Sequence, residues 1–138
     1  MNKALYWILS WTWGIIMTII GCIAFMVLKA LGYKTERNIY GYIVRVGQGW
    51  GGAGMGPFCI CAVDSQDDIL NHEFGHGIQN CYFGPFQVFI SIASAIRYQY
   101  REYLVCKKGK RYSDLRPYDD AWYEGMATRI GEKYSNKV

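Results

Sequence analysis

Charge is scarce in this 138-residue chain: Asp, Glu, Lys and Arg make up 19% of it, against 51% apolar residues. Proline occurs three times and histidine twice. The five cysteines (22, 59, 61, 81 and 106) are odd in number, which excludes a closed disulfide framework of the kind that staples small secreted domains and accords with a reducing compartment. Cys59-Ile60-Cys61 is too tightly spaced for a zinc knuckle, and strand alternation puts both thiols on one face. The glycine-rich stretch GQGWGGAGMGP (47–57) lacks the Gly-Lys-Ser/Thr ending of a phosphate-cradling loop. Repeats and low-complexity tracts are missing, and the length allows one core. The net charge of +4 comes with no recognised nucleic-acid-binding module, so nucleic acid is not an expected partner.

Charge is missing altogether from residues 4–28, a run of 25 positions. As one helix the run would rise roughly 37 Å, more than the ~30 Å of a bilayer core. Tyr6, Trp7, Trp11 and Trp13 gather at its start, where amphipathic rings favour the membrane interface. The expectation is an N-terminal transmembrane helix with its connector over 1–33, followed by a membrane-associated domain over 34–138. A cleaved signal peptide competes, but the apolar run exceeds a normal h-region and has no small-x-small cleavage site. Ile19-Ile20-Gly21-Cys22 is a loose lipobox, yet the apolar run continues through Leu28 where a lipoprotein turns polar. Lys29, Lys34, Arg37 and Arg45 follow the run and only Lys3 precedes it, so the body is expected on the cytoplasmic side of a bacterial inner membrane.

Beyond the span, 34–38 reads as a polar connector and Tyr40–Val46 as a strand. Residues 47–57 read as a turn or bulged segment, and Phe58–Val63 as the returning strand of an antiparallel hairpin. A helix follows, capped at Asp64 or Ser65, running to about Tyr82 and stopped by Gly84-Pro85. Residues 86–105 are too briefly apolar to span a membrane and are expected to lie on it, re-enter it or pack against the first span. Seven Lys/Arg over 97–116 suit a solvated loop or contact with anionic headgroups, worth about 1 kcal/mol per charge. Pro117 opens a last helix to about Tyr134. The fold class is α+β.

Both histidines fall in His72-Glu73-Phe74-Gly75-His76. On a helix His72 and His76 lie one turn apart on one face, a spacing that grips one Zn²⁺, while Glu73 at the edge of that face can serve as a base. Such a site needs a third ligand. Of the five glutamates, Glu73 is used, Glu36 sits by the membrane run, Glu102 lies among arginines and Glu132 is near a chain end. Glu124 remains, in mid-helix among small and apolar neighbours, where a carboxylate is costly to bury unless it meets a cation.

HEFGH, followed 48 residues after His76 by E-G-M-A-T-R-I-G, resembles the gluzincin zinc metallopeptidases, and over about 40–134 the chain is similar to small bacterial integral-membrane proteins with an HExxH helix. That resemblance implies a minimal zincin-like core in which His72, His76 and Glu124 hold Zn²⁺. Where many gluzincins have an aspartate four residues after the ligand glutamate this chain has Thr128, so the buttress of a ligand histidine falls to Thr128, Asp119 or Asp120. The expected activity is hydrolysis of peptide bonds in a peptide or protein substrate by a zinc-activated water, with Glu73 as general base and a tyrosine, Tyr123 or Tyr118, as oxyanion donor. The strand at 58–63 is the expected substrate dock. Two alternatives stand beside this one: a non-catalytic membrane protein with structural zinc, and a zinc hydrolase of a non-peptide bond. So small a cleft would be open, or completed by a partner or a second copy.

Overall fold

The uncharged N-terminal run is not one helix. In the computed structural model, which describes residues 1–135, it forms α1 (Lys3–Trp11) and α2 (Ile15–Ala30), bent by 92°. Polar groups make the break. The Thr12 hydroxyl donates back to the Ile8 carbonyl at 2.7 Å, and the Gly14 amide donates to Leu9 at 2.8 Å. Asn80 Nδ2 then donates to the Gly14 carbonyl at 3.0 Å, so close that a Cβ on residue 14 would overlap the Asn80 amide. Among the described residues no single helix is long and apolar enough to cross a membrane; the bent pair passes that test only jointly, by length and composition. The straight helix expected over 4–28 is thus corrected to two limbs, and α2 with 16 residues rises about 24 Å.

Both limbs pack on the body. Tyr6 and Ser10 of α1 are buried, Tyr6 clustering with Ile78 and Cys81 and Ser10 within hydrogen-bonding reach of Cys81 Sγ at 3.6 Å. α2 buries Met17, Thr18, Gly21 and Phe25.

The connector expected at 34–38 is a strand. β1 (Lys34–Asn38) pairs antiparallel with β2 (Gly41–Arg45) around an Asx turn, where Asn38 Oδ1 accepts the amides of Tyr40 and Gly41, each at 2.9 Å. β3 (Gly52–Met55) and β4 (Phe58–Cys61) complete a four-stranded sheet in the order β1-β2-β4-β3. The expected hairpin of β2 with β4 is corrected too, since these strands run parallel. The glycine-rich segment is long enough to hold a strand of its own, and the hairpin is β3–β4, closed at Gly56 (φ +60°) and Pro57. In consequence β3, not β4, lies at the sheet edge.

The two faces of the sheet are covered differently. Val44 and Phe58 meet Phe25 of α2, whereas Ile43, Cys59 and Cys61 meet Phe74 of α3 (Asp67–Phe83). Cys59 and Cys61 share a face, and all five cysteines are free thiols. α3 begins after Gln66 rather than Asp64 or Ser65, with Asp67 and Asp68 in its first turn. Gly84 (φ +54°) ends it, and a single 3₁₀ turn leads into α4 (Gln87–Cys106). A short turn over Tyr118–Asp120 precedes α5 (Trp122–Ser135), which starts five residues later than Pro117. The last three residues of the domain expected over 34–138 lie outside the described residues.

α5 crosses α3 in backbone contact. Gly75 faces the Ala127 carbonyl and Gly131 faces the Asn71 carbonyl, and a Cβ at either glycine would overlap that carbonyl. This crossing is what positions the site.

Candidate metal centre

His72 and His76 stand one turn apart on α3, with ring centroids 4.8 Å apart and rings at 90°. The α5 crossing brings Glu124 over them. One carboxylate oxygen, Oε2, lies 3.1 Å from Nε2 of His72 and 3.1 Å from Nε2 of His76. One ligand atom from each residue falls within 4.8 Å of the others. Tetrahedral bonds of about 2.0–2.1 Å would separate ligand atoms by about 3.4 Å, so two imidazoles and a carboxylate here can hold a metal ion.

Outer partners fix the imidazoles. His72 Nδ1 lies 2.8 Å from Thr128 Oγ1, and that hydroxyl donates to Asp119 Oδ1 at 3.1 Å. The buttress is therefore Thr128 with Asp119 behind it. His76 Nδ1 donates to Gln79 Oε1 at 2.9 Å, and Gln79 is itself held by its amide nitrogen on the Tyr123 carbonyl at 3.0 Å and by Gln87 Nε2 at 3.2 Å. Gln79 Oε1 and, with its proton on Asp119, Thr128 Oγ1 accept from the two Nδ1 atoms, so each Nε2 faces Glu124, where it donates when protonated and offers a lone pair to a metal ion when not.

Glu124 is completely buried, and its ion-pair partners among the described residues are the two histidines. Burial opposes its charge, but hydrogen bonds from His72, His76 and the Ser94 hydroxyl hold its carboxyl far below the usual range. Burial likewise opposes a charged His76, yet the bond to Glu124 and the nearby Glu73 charge outweigh it and raise that imidazole to about 9. A proton on the imidazole thus fills the place of a cation beside a carboxylate that needs one.

Glu73 is buried beside this set without joining it. Burial pushes its carboxyl up, the two histidines pull it back in part, and the Gly54 amide donates to it. Its side chain lies across β3, where a Cβ on Gly52 would come within 2.8 Å of Glu73 Cγ. The glycines at 52 and 54 are there because the strand passes over Glu73.

Two cavities flank Glu73. One of about 500 Å³ is lined by Asp68, His72, Tyr98 and Asp119, and one of about 250 Å³ by Met17, Met55, His76 and Ser94; Gly52, Glu73 and Tyr118 line both. Of the two tyrosines expected near the site, Tyr118 is on the cavity walls, its ring centroid 6.0 Å from that of His72. Tyr123 contributes its backbone carbonyl to Gln79 and stacks its ring edge-on with Trp122. Arg97 and Arg101 hold the Tyr118 segment: each guanidinium lies over the Tyr118 ring, at 5.1 and 5.4 Å, and they donate to the carbonyls of Pro117, Tyr118 and Arg116.

Sequence reasoning missed Ser94, Gln79, Gln87 and this role for the two arginines. Gln79 was findable, since it follows His76 by three helical positions and shares its face. Ser94 had no signal, because its approach to Glu124 depends on how α4 docks. Comparison with protein-family models, curated proteins and solved structures finds no match.

Proposed function

We propose that this chain is a membrane-attached zinc metallopeptidase of gluzincin type. The observation that carries the reading is Glu73: a buried carboxylate beside a three-ligand set, taking no ligand position, and held by an amide of the sheet's free edge. A structural zinc site is closed by four ligands and has no use for such a group, whereas three ligands and an adjacent base make the catalytic pattern. Two imidazoles and a carboxylate suit zinc. When bound, zinc would polarise the scissile carbonyl and make water acidic enough to lose a proton near neutral pH.

The chain's own residues do the rest. Glu73, its carboxyl raised by burial, takes a proton from water and returns it to the leaving amine. Tyr118, kept protonated by burial and by the charge of Glu124, donates to the oxygen that gains charge, a role its place on the cavity walls favours over Tyr123. β3 offers its edge to an extended substrate backbone. Attachment to a bilayer is supported by the outward faces of α2 (Ile16, Ile19, Ile20, Ile23) and α4 (Phe89, Ile96, Tyr100), all exposed. A cytoplasmic side for the site is supported by Lys29, Lys34, Arg37 and Arg45 after the apolar run against Lys3 before it.

Glu73→Gln tests it. The variant should keep stoichiometric zinc by elemental analysis and lose peptide cleavage by at least about a hundredfold. Zinc retained with cleavage unchanged would overturn the reading.

A further inference from the structure

The two cavities beside Glu73 adjoin, sharing Gly52, Glu73 and Tyr118 as walls, so a chain running from one to the other would pass Glu73. β3 runs along both: Gly51 and Gly52 line the larger end, Ala53, Gly54 and Met55 the smaller. The ends differ in chemistry. The larger is walled by the acidic side chains of Asp68 and Asp119, with no Lys or Arg among its described lining residues. The smaller is walled by Met17 and Met55 and by the small residues Ser91, Ser94 and Ala95 of α4.

The smaller end reaches an apolar stretch of surface at Ala95. Ala95 is exposed as well as lining the cavity, and its neighbours Ile92 and Ile96 are 51% and 65% exposed. The buried Met17 on the cavity wall belongs to α2, whose adjacent positions Ile16, Ile19 and Ile20 are exposed. α4 therefore turns Ser91, Ser94, Ala95 and Tyr98 into the groove and Phe89, Ile92, Ile96 and Tyr100 away from it. An apolar chain held in lipid against α2 and α4 can enter here without crossing water.

Resting on the peptidase reading above, we propose that the substrate is a membrane-embedded polypeptide, cut where it leaves the bilayer. Direction follows from β3. A chain adding antiparallel to this edge has its N-terminal part beside Met55 and its C-terminal part beside Gly51, antiparallel pairing being the more stable arrangement. The scissile bond therefore has apolar residues on its amino side and Lys or Arg on its carboxyl side, opposite Asp68. This is the order found where a transmembrane segment ends in a basic flank.

Two synthetic peptides of equal composition, an apolar run followed by a lysine-rich flank and the same residues in reverse order, are presented in phosphatidylcholine–phosphatidylglycerol vesicles and free in detergent. Cleavage is followed with the zinc-loaded full chain, and binding by photocrosslinking to its zinc-loaded Glu73→Gln variant. The forward peptide should be cut at its boundary and crosslinked at least about tenfold better than the reverse one, and better from vesicles than from detergent. Ala95→Glu, an exposed position, should remove that preference while zinc content stays at one equivalent. Cleavage of both peptides alike, or a preference that survives Ala95→Glu, overturns the inference and leaves the peptidase reading standing. Directional crosslinking without cleavage overturns the peptidase reading and leaves the groove's polarity standing, and failure of both measurements overturns both.

Discussion

α3 and α2 cover opposite faces of the same small sheet by opposite means. α3 meets β3 and α5 through glycine: Gly52 and Gly54 accommodate Glu73, while Gly75 and Gly131 admit the backbone of the crossing helix. α2 meets the sheet mainly through side-chain bulk, with Phe25, Val44 and Phe58 as one cluster and the Tyr42 and Phe58 rings stacked at 5.8 Å, and makes one close backbone approach, of Gly21 to the Met55 carbonyl. The first contact encloses Glu73, His76, Gln79 and Glu124, and the second encloses aromatic rings. A buried polar cluster is stable only if each donor meets its acceptor, so the elements carrying it must approach to within tenths of an ångström. An apolar contact has no such register to keep and repacks when one side chain changes. The helix pair that carries the candidate metal site is accordingly locked by two glycine-to-backbone contacts, at Gly75 and Gly131.

That contrast breaks most visibly at Gly75. Gly75→Val would drive a branched side chain into the Ala127 carbonyl, in a place where no flexible group can yield. The expected loss is at least about 3 kcal/mol, a large fraction of the roughly 5–15 kcal/mol that keeps a domain folded. Phe25→Leu on the other face should cost about 1–2 kcal/mol and leave a folded protein. Thermal unfolding in detergent separates the two outcomes; equal losses would mean that the crossing is as tolerant as the aromatic face.

Removing the shared carboxylate comes next in size. Glu124→Ala should lower zinc content from one equivalent to background while the sheet stays folded. In the metal-free protein the same pair sets a pH dependence. His76 is raised from 6.5 to about 9, so the stability it contributes is fully present below pH 6.5 and is lost as pH rises through 9. A metal ion bound there would have to displace that proton, so its affinity should move the opposite way, climbing up to about tenfold per pH unit between 6.5 and 9. Competition with a chelator across that range measures the slope, and a flat profile would remove the proton from His76.

How far this centre could be read from residue order depends on the range of its contacts. His72, Glu73 and His76 are local, one helical turn, and were legible at once. Glu124 was legible only indirectly, as a carboxylate with no polar company, because its partners arrive from 48 and 52 residues away. Strand existence at 41–45 and 58–61 was legible from β-branched and aromatic residues, but their parallel pairing was not. It depends on a third strand hidden in GAGM, whose glycines carry no strand propensity and are selected by the approach of Glu73. The bend after α1 was obscured for a similar reason. Hydropathy over 4–28 sums to a span, while the break is set by Thr12, Gly14 and the distant Asn80.

The two supports of the histidines divide the centre more finely. His72 leans on Thr128 and Asp119 at the cavity wall, and His76 on Gln79, which is fully buried and held from two further sides. Loss of an outer partner typically costs 10–100-fold in metal affinity. Gln79→Ala should fall near the upper end, because it frees His76 and strands Gln87 in one step. Thr128→Ala should fall near the lower end, since water at the cavity wall can take over its bond. Thr128→Asp would place a carboxylate within reach of His72 Nδ1 and should tighten zinc slightly.

The smallest effect belongs to the outside of α2. Ile19 and Ile23 are 44% and 60% exposed and touch none of the buried clusters. Ile19→Ser with Ile23→Ser should change stability in detergent by no more than about 0.5 kcal/mol per site and leave zinc content unaltered. Sedimentation with vesicles should nevertheless weaken, by up to about 2 kcal/mol per side chain that the bilayer buries. If the pair instead lowered stability in detergent as Phe25→Leu does, this face would be packed against protein, through a second copy of the chain. The apolar surface would then be an interface between copies, and the groove mouth at Ala95 would open onto a partner rather than onto lipid.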